Sequence, residues 1–187
     1  MAYTSWSVVY GEQPSAAKWN ILGTNDASFA DGTGLNTGSV QQRVSTVTGA
    51  SSTGSTAIPA DDTIPQITEG NEYMTLAITP KSVTNVLRID VTIILSSSVV
   101  NNLIAALFQD AAVNALAVAV HLENGTSTGM HTLNFSYVMT AGTTSATTFR
   151  VRAGGNAAGT TTFNGQSGSR RFGGAFASSI IITEHKA

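Results

Sequence analysis

Alternation of apolar and polar residues is the dominant signal along this chain. Leu87, Ile89, Val91, Ile93 and Leu95 point one way and Arg88, Asp90, Thr92, Ile94 and Ser96 the other, which predicts a long strand over 86–96. Ile94 interrupts the polar face and marks a second buried surface. The same period returns where Leu133, Phe135, Tyr137 and Met139 alternate with Thr132, Asn134 and Ser136, predicting a strand over 131–140. Shorter runs predict strands at 40–48, 55–58, 72–79 (stopped by Pro80), 103–109, 115–122, 146–153 and 176–184. Turn chemistry separates them at Gly49–Gly54, Ser96–Ser98, Asn124-Gly125, Ala141-Gly142, Gly154-Gly155-Asn156 and Gly165–Ser169. The Ala-rich stretch 103–120 also fits a helix; its sandwich context favours two strands, with Gln109-Asp110 and Asn114 near the turn between them. The pattern as a whole predicts an all-β fold, an antiparallel jelly-roll sandwich with a short N-terminal strand-plus-helix anchor segment.

The period changes ahead of residue 37. Residues 3–10, with Tyr3, Trp6, Val8, Val9 and Tyr10, suit a short extended segment closed by Gly11 and Pro14. Ser15 is a helix N-cap candidate for Ala16-Ala17-Lys18-Trp19-Asn20-Ile21-Leu22. Trp19, Leu22, Asp26 and Phe29 recur at helical spacing, with Gly23 weakening the helix and Gly32 stopping it. A helix of about four turns cannot bury Trp6, Tyr10, Trp19 and Phe29 by itself. These rings either fold back onto the β body or insert into another protein, since aromatic anchors are enriched at interfaces. The division expected is a segment 1–36 and a β head 37–187.

Composition narrows the function classes. The chain has 187 residues, room for one sizeable core and an appendage. Charged residues make up only 11% and about a quarter of the chain is Ser or Thr, so the polar surface is built from hydroxyls, amides and glycines. Such surfaces suit subunit packing, because burying a charge costs much more than burying a paired hydroxyl. With nine basic residues and a net charge of −2, no nucleic-acid partner is expected, for too few cations are present to neutralise a run of phosphates. Arg150, Arg152, Arg170 and Arg171 form the densest basic group. The absence of cysteine excludes disulfides and thiolate metal sites. Neither a signal-peptide pattern nor an apolar run near the ~20 residues of a membrane span is visible, so a soluble, unsecreted protein without membrane insertion is expected.

Catalytic equipment is not apparent. His121 and His131 flank the loop Asn124–Gly129 and come close in a hairpin, with Glu123 nearby; two histidines and a carboxylate leave a metal site short of ligands. Asp61-Asp62, with Glu69 and Glu72, is the acidic cluster. Adjacent carboxylates in a strand point to opposite faces, and the spacing matches no calcium loop, so a turn or capping role is expected. No Gly-x-Ser-x-Gly elbow is present. Gly165–Gly174 has the composition of a phosphate loop without its Gly-Lys-Ser/Thr ending. A tight surface loop with two arginines, suited to anionic sugars or a neighbouring subunit, is the reading that remains. The chain is therefore expected to be no enzyme and to need no cofactor or metal.

The segment Trp6 with Gly11-Glu12-Gln13-Pro14-Ser15-Ala16-Ala17-Lys18-Trp19-Asn20-Ile21-Leu22-Gly23-Thr24-Asn25-Asp26-Ala27-Ser28-Phe29-Ala30-Asp31-Gly32-Thr33-Gly34 resembles the N-terminal signature of tailed-bacteriophage virion proteins of the minor tail or tail-fibre type. Farther along, Asp61-Asp62-Thr63-Ile64-Pro65-Gln66, Thr68-Glu69-Gly70-Asn71-Glu72-Tyr73-Met74 and Ala106-Leu107-Phe108-Gln109-Asp110 look like a phage domain found at fibre ends. That domain is similar to the trimeric jelly rolls of the tumour necrosis factor and complement-head type. The resemblance implies a homotrimer located in the virion. Its N-terminal segment would bind another virion protein of tail, fibre or capsid, through Trp6, Tyr10, Trp19, Asn20, Leu22 and Phe29.

The head would then face outward toward a host cell-surface glycan or protein. Its candidate recognition residues lie in three loops: Asn124, Thr126, Asn156, Asn164, Arg170 and Arg171. Family fibres often carry a long shaft, whereas this chain runs almost directly from Gly34 to the first strand. A short knob or a capsid decoration without a receptor role therefore fits as well as a tail tip. Low charge and an apolar stripe such as Tyr73, Phe135 and Tyr137 are expected to pack a threefold axis. A capsule depolymerase would need a long β-helix with paired carboxylates, which the pattern does not contain.

Overall fold

A computed structural model describes Gly11, Gln13 and residues 15–30, 34–122 and 129–187. The extended segment expected over 3–10 and the Asn124-Gly125 turn lie outside the described residues. The elements are α1 (Ala16–Ala30), β1 (Val40–Thr48), β2 (Ser52–Gly54), β3 (Asn71–Ile78), β4 (Val86–Ser97), β5 (Leu103–Gln109), β6 (Ala117–His121), β7 (His131–Thr140), β8 (Thr147–Gly155), β9 (Thr161–Phe163), β10 (Gly165–Gln166), β11 (Ser169–Arg170), a 3₁₀ turn at Phe172–Gly174 and β12 (Ser178–His185).

One sheet has the order β1-β12-β4, with β7 on the far side of β4 and β9 and then β2 beside its C-terminal end; the other has the order β3-β8-β5-β6. All the pairings are antiparallel. β1 pairs β12, β3 pairs β8, β4 pairs β7 and β5 pairs β6. The main strands thus pair first with last and inward from there, as in a long hairpin wrapped around itself. This is the jelly roll that the alternation predicts. Closing the roll places β6 beside β7 and β1 beside β3 at its two sides.

The core lies between the sheets. Leu87, Ile89, Val91, Ile93 and Leu95 of β4 meet Leu103, Ala105 and Leu107 of β5, Phe149 and Val151 of β8, and Ile180 and Ile182 of β12. Each of these side chains except that of Ala105 contributes about 1.5–3 kcal/mol by leaving water. A second cluster sits on the outer face of β5, where Ile104, Ala106 and Phe108 are covered by Ile58 with Ile67 and Ala115. β5 is therefore buried on both faces, which explains its unbroken apolar run and its helix-like composition. Ile94 is buried as well, where Asn164 N donates to its carbonyl at 3.0 Å.

Two expectations are corrected. Residues 55–58 are not a strand; the pairing partner of β9 is 52–54, and Ile58 instead plugs the second cluster. β9 and the small β10–β11 hairpin went unforeseen, being too short to show a period. The helix does start at Ser15, whose Oγ accepts from Lys18 N at 3.3 Å, and it continues through Gly23. Its covered positions are Lys18, Ile21, Leu22, Thr24, Asn25 and Ser28, whereas Trp19, Asp26 and Phe29 of the expected stripe are exposed. No described helix is long and apolar enough to cross a membrane.

Candidate functional site

The register of β1 on β12 gives the sandwich two distinct ends. At the entry end Val40 pairs His185, and the incoming chain is tied down there: Gly38 N donates to Lys186 O at 2.7 Å and Lys186 Nζ to Leu35 O at 2.6 Å. At the far end Thr48 pairs Ser178. Nine strand residues rising about 3.3 Å each separate the two ends by roughly 30 Å. Following the pairings around the roll, β4 ends, β5 begins, β6 ends, β7 begins and β8 ends at that far end. The loops bearing Asn156, Asn164, Arg170 and Arg171 therefore emerge opposite the entry of the N-terminal segment.

Within that end the predicted residues differ in kind. Asn164 is fully buried and holds φ at 51°. Its Nδ2 donates to Thr48 O at 2.7 Å and Ala50 O at 3.0 Å, and its Oδ1 accepts from Ser178 Oγ at 2.6 Å. It is a structural rivet joining β1, β9 and β12, which corrects its assignment as a recognition residue. No sequence pattern warned of this, because an Asn beside Gly reads as a turn. Asn156 Oδ1 accepts from Asn102 N at 2.8 Å and so fixes one far-end loop to another. Arg170 and Arg171 are exposed, and their side chains make no ion pair among the described residues. Asn124 and Thr126 lie outside the described residues.

The remaining basic pair has other work. Arg150 and Arg152 reach Glu72 at 3.2 Å and 3.7 Å, and Arg152 also donates to the carbonyls of Glu69 and Gly70. The basic group expected from sequence is thus divided. Asp61 Oδ1 accepts from Thr63 N and Oγ1, which holds its carboxyl below the usual range and confirms a turn role. His121 and His131 meet as expected, their rings stacked at 3.7 Å. Among the described residues no three His, Asp or Glu side chains are placed to hold a metal.

Of the anchor residues, Trp19 is 60% and Phe29 52% exposed, Asn20 is exposed, and Leu22 is half-buried. Trp6 and Tyr10 lie outside the described residues. No described strand packs extensively against α1. The expected aromatic stripe does not form one surface. Tyr73 stacks on Phe163 at 5.1 Å within the fold, on the side of the sandwich away from Phe135 and Tyr137 on β7. Tyr73 is desolvated there, which pushes its phenol up to about 12.

Two features went unread in the sequence. Phe172 is 72% exposed between the arginines and two glycines, in the left-handed region at φ 51°. Glu184 is fully buried at the entry end, where its carboxylate accepts from Lys81 N at 2.8 Å, Asn85 Nδ2 at 2.6 Å and Gln42 Nε2 at 2.5 Å. A polar residue at an inward position of β12 was the available signal for Glu184. For Phe172 the signal was an aromatic set in a Gly-rich loop.

No protein-family model and no curated protein matches the sequence. Solved structures align with the fold at low similarity. The Eiger TNF from S. frugiperda aligns over 78% of this chain and 94% of its own at 11% identity, with a TM-score of 0.43. The infectious bursal disease virus VP2 of a subviral particle aligns over 80% of this chain at 13% identity and a TM-score of 0.34, and this chain spans only 39% of it. Likenesses this distant assign no function. The jelly-roll assignment stands on the strand order itself.

Proposed function

We propose that this chain is a structural protein of a tailed-bacteriophage virion, a homotrimer that docks by residues 1–36 and displays its β head for adhesion to the host surface. The observation that carries this reading is the opposition of the two ends. The N-terminal segment enters beside His185 and Lys186, and the loops with unpaired arginines leave beyond Ser178. Exposed Trp19 and Phe29, on a helix against which no described strand packs extensively, suit insertion into a partner. A fixed scaffold with loops gathered at one end suits recognition. Three weak contacts per trimer, repeated over a particle, gain strength by effective concentration.

A second reading keeps the same parts and removes the receptor. Between Gly34 and Val40 there is no room for a shaft, which favours a short knob or a capsid decoration. Immunogold labelling of intact particles separates the two: label at the tail supports adhesion, label on the capsid supports decoration. Deleting residues 1–36 is expected to leave a folded trimer that no longer joins particles. A truncated chain that still assembles onto virions, or a full-length protein that sediments as a monomer, overturns the proposal.

A further inference from the structure

We propose that the loop Arg170–Phe176 at the far end is a binding site for a carboxylate-bearing sugar, with Phe172 as its platform and Arg170 and Arg171 as its anion clamp. This rests on the adhesive reading above and names the ligand class for it. Three independent observations meet at this loop.

The first is backbone strain. Asn164, Ser167, Gly168, Phe172, Gly173 and Gly174 all have positive φ, between 51° and 92°. For Asn and Gly this is ordinary, but a bulky aromatic in that region is an outlier of the kind that gathers at ligand clamps. The second is exposure. Phe172 shows 72% of its surface to solvent and touches Phe176 edge-on at 5.8 Å. Its ring is thus propped from one side by Phe176 rather than buried. The third is uncompensated charge. No Asp or Glu occurs between residues 124 and 183, and neither arginine has an ion pair among the described residues.

The loop is also held in shape. A Cβ on Gly49 would lie 2.0 Å from Gly174 O, so the β1–β2 turn and this loop press backbone to backbone. Arg170 lies along Gly174, where an added Cβ would come within 3.4 Å of its guanidinium. Pre-shaping of this sort lowers the entropy lost on binding. A guanidinium fork matches a carboxylate with two parallel hydrogen bonds, and the C–H face of a pyranose ring covers an exposed aromatic ring. A sugar acid supplies both features in one residue, whereas an acidic protein surface supplies only the first.

Full-length protein titrated calorimetrically at physiological ionic strength tests this with four probes: oligogalacturonate, its methyl ester, polyglutamate and dextran sulfate. Oligogalacturonate is expected to bind, and the methyl ester about tenfold or more weakly, as for loss of a charge-assisted pair. R170Q/R171Q should abolish binding, R170K/R171K should restore only part of it, and Phe172→Ala should weaken it while melting normally. Absence of binding by the wild-type protein overturns the site. So does binding of polyglutamate or dextran sulfate as tight as that of oligogalacturonate and indifferent to Phe172→Ala, which marks a generic polyanion or acidic-protein contact. Particle incorporation does not enter this measurement, so the site and the virion assignment fail separately.

Discussion

β12 and α1 each carry large apolar residues and meet opposite fates. β12 lies between β1 and β4, so both its edges are paired, and Ile180, Ile182 and even the carboxylate of Glu184 are fully buried. α1 has no described strand packed extensively on it, and its Trp19 is 60% exposed. The lesson is that neighbours, not composition, decide burial. A carboxylate can go inside when β1 and the β3–β4 loop bring three donors to it, and a tryptophan stays outside when no surface arrives to cover it.

Mutations can break or sharpen this contrast. Phe149→Ala should have the largest effect, lowering stability by about 3–5 kcal/mol in urea unfolding, because β8 packs Phe149 into the main core. Glu184→Ala comes next, at about 2–4 kcal/mol, since it removes the acceptor of Lys81 N and Asn85 Nδ2 and leaves Gln42 Nε2 only its bond to Thr79 O. A loss under about 0.5 kcal/mol would mean that water reaches those donors and that the burial argument for β12 is wrong. Asn164→Ala should lose about 2 kcal/mol from its missing hydrogen bonds and its positive φ, and Asn164→Gly should recover the conformational part.

Tyr73 gives a subtler signal, in pH. Its folded phenol is raised to about 12 from 10.0, so the unfolded phenol ionises first. Its contribution is whole below pH 10, declines as pH climbs from 10 to 12, and levels off above that range. Tyr73→Phe should flatten that decline in urea midpoints taken across the window; an unchanged slope would remove Tyr73 as its source. The smallest expected effect on stability is that of Trp19→Ala, within about 0.5 kcal/mol. The same substitution should still remove the chain from particles, measured by quantitative blotting of purified virions. Full incorporation of Trp19→Ala would show that the exposed helix face is not the docking face.

Much of the fold was legible because alternation reports half-burial directly. β1, β4, β5 and β7 begin where the pattern places them, and Ile94 correctly flagged a second covered face. Legibility failed where a residue's environment comes from distant chain. Ile58 looked like a strand residue and serves as a plug over β5. Arg150, Arg152, Arg170 and Arg171 looked like one basic group until Glu72 took the first two. At the candidate site the two arginines were visible as charge, but the left-handed φ of Phe172 was not, because a backbone angle inside an irregular loop leaves no period in the sequence.

By itself the sequence determined most of the strand segments and that its surface would carry few charges. Those properties are local, carried by a two-residue period, by turn residues and by composition. The tertiary structure alone decided that first and last strands pair. From that pairing follow the two opposite ends of the sandwich, the burial of Asn164 and Glu184, and the release of Arg170, Arg171 and Phe172 to solvent. Each of these depends on contacts between residues far apart in the chain, and no local pattern encodes which distant donor, ring or carboxylate will arrive.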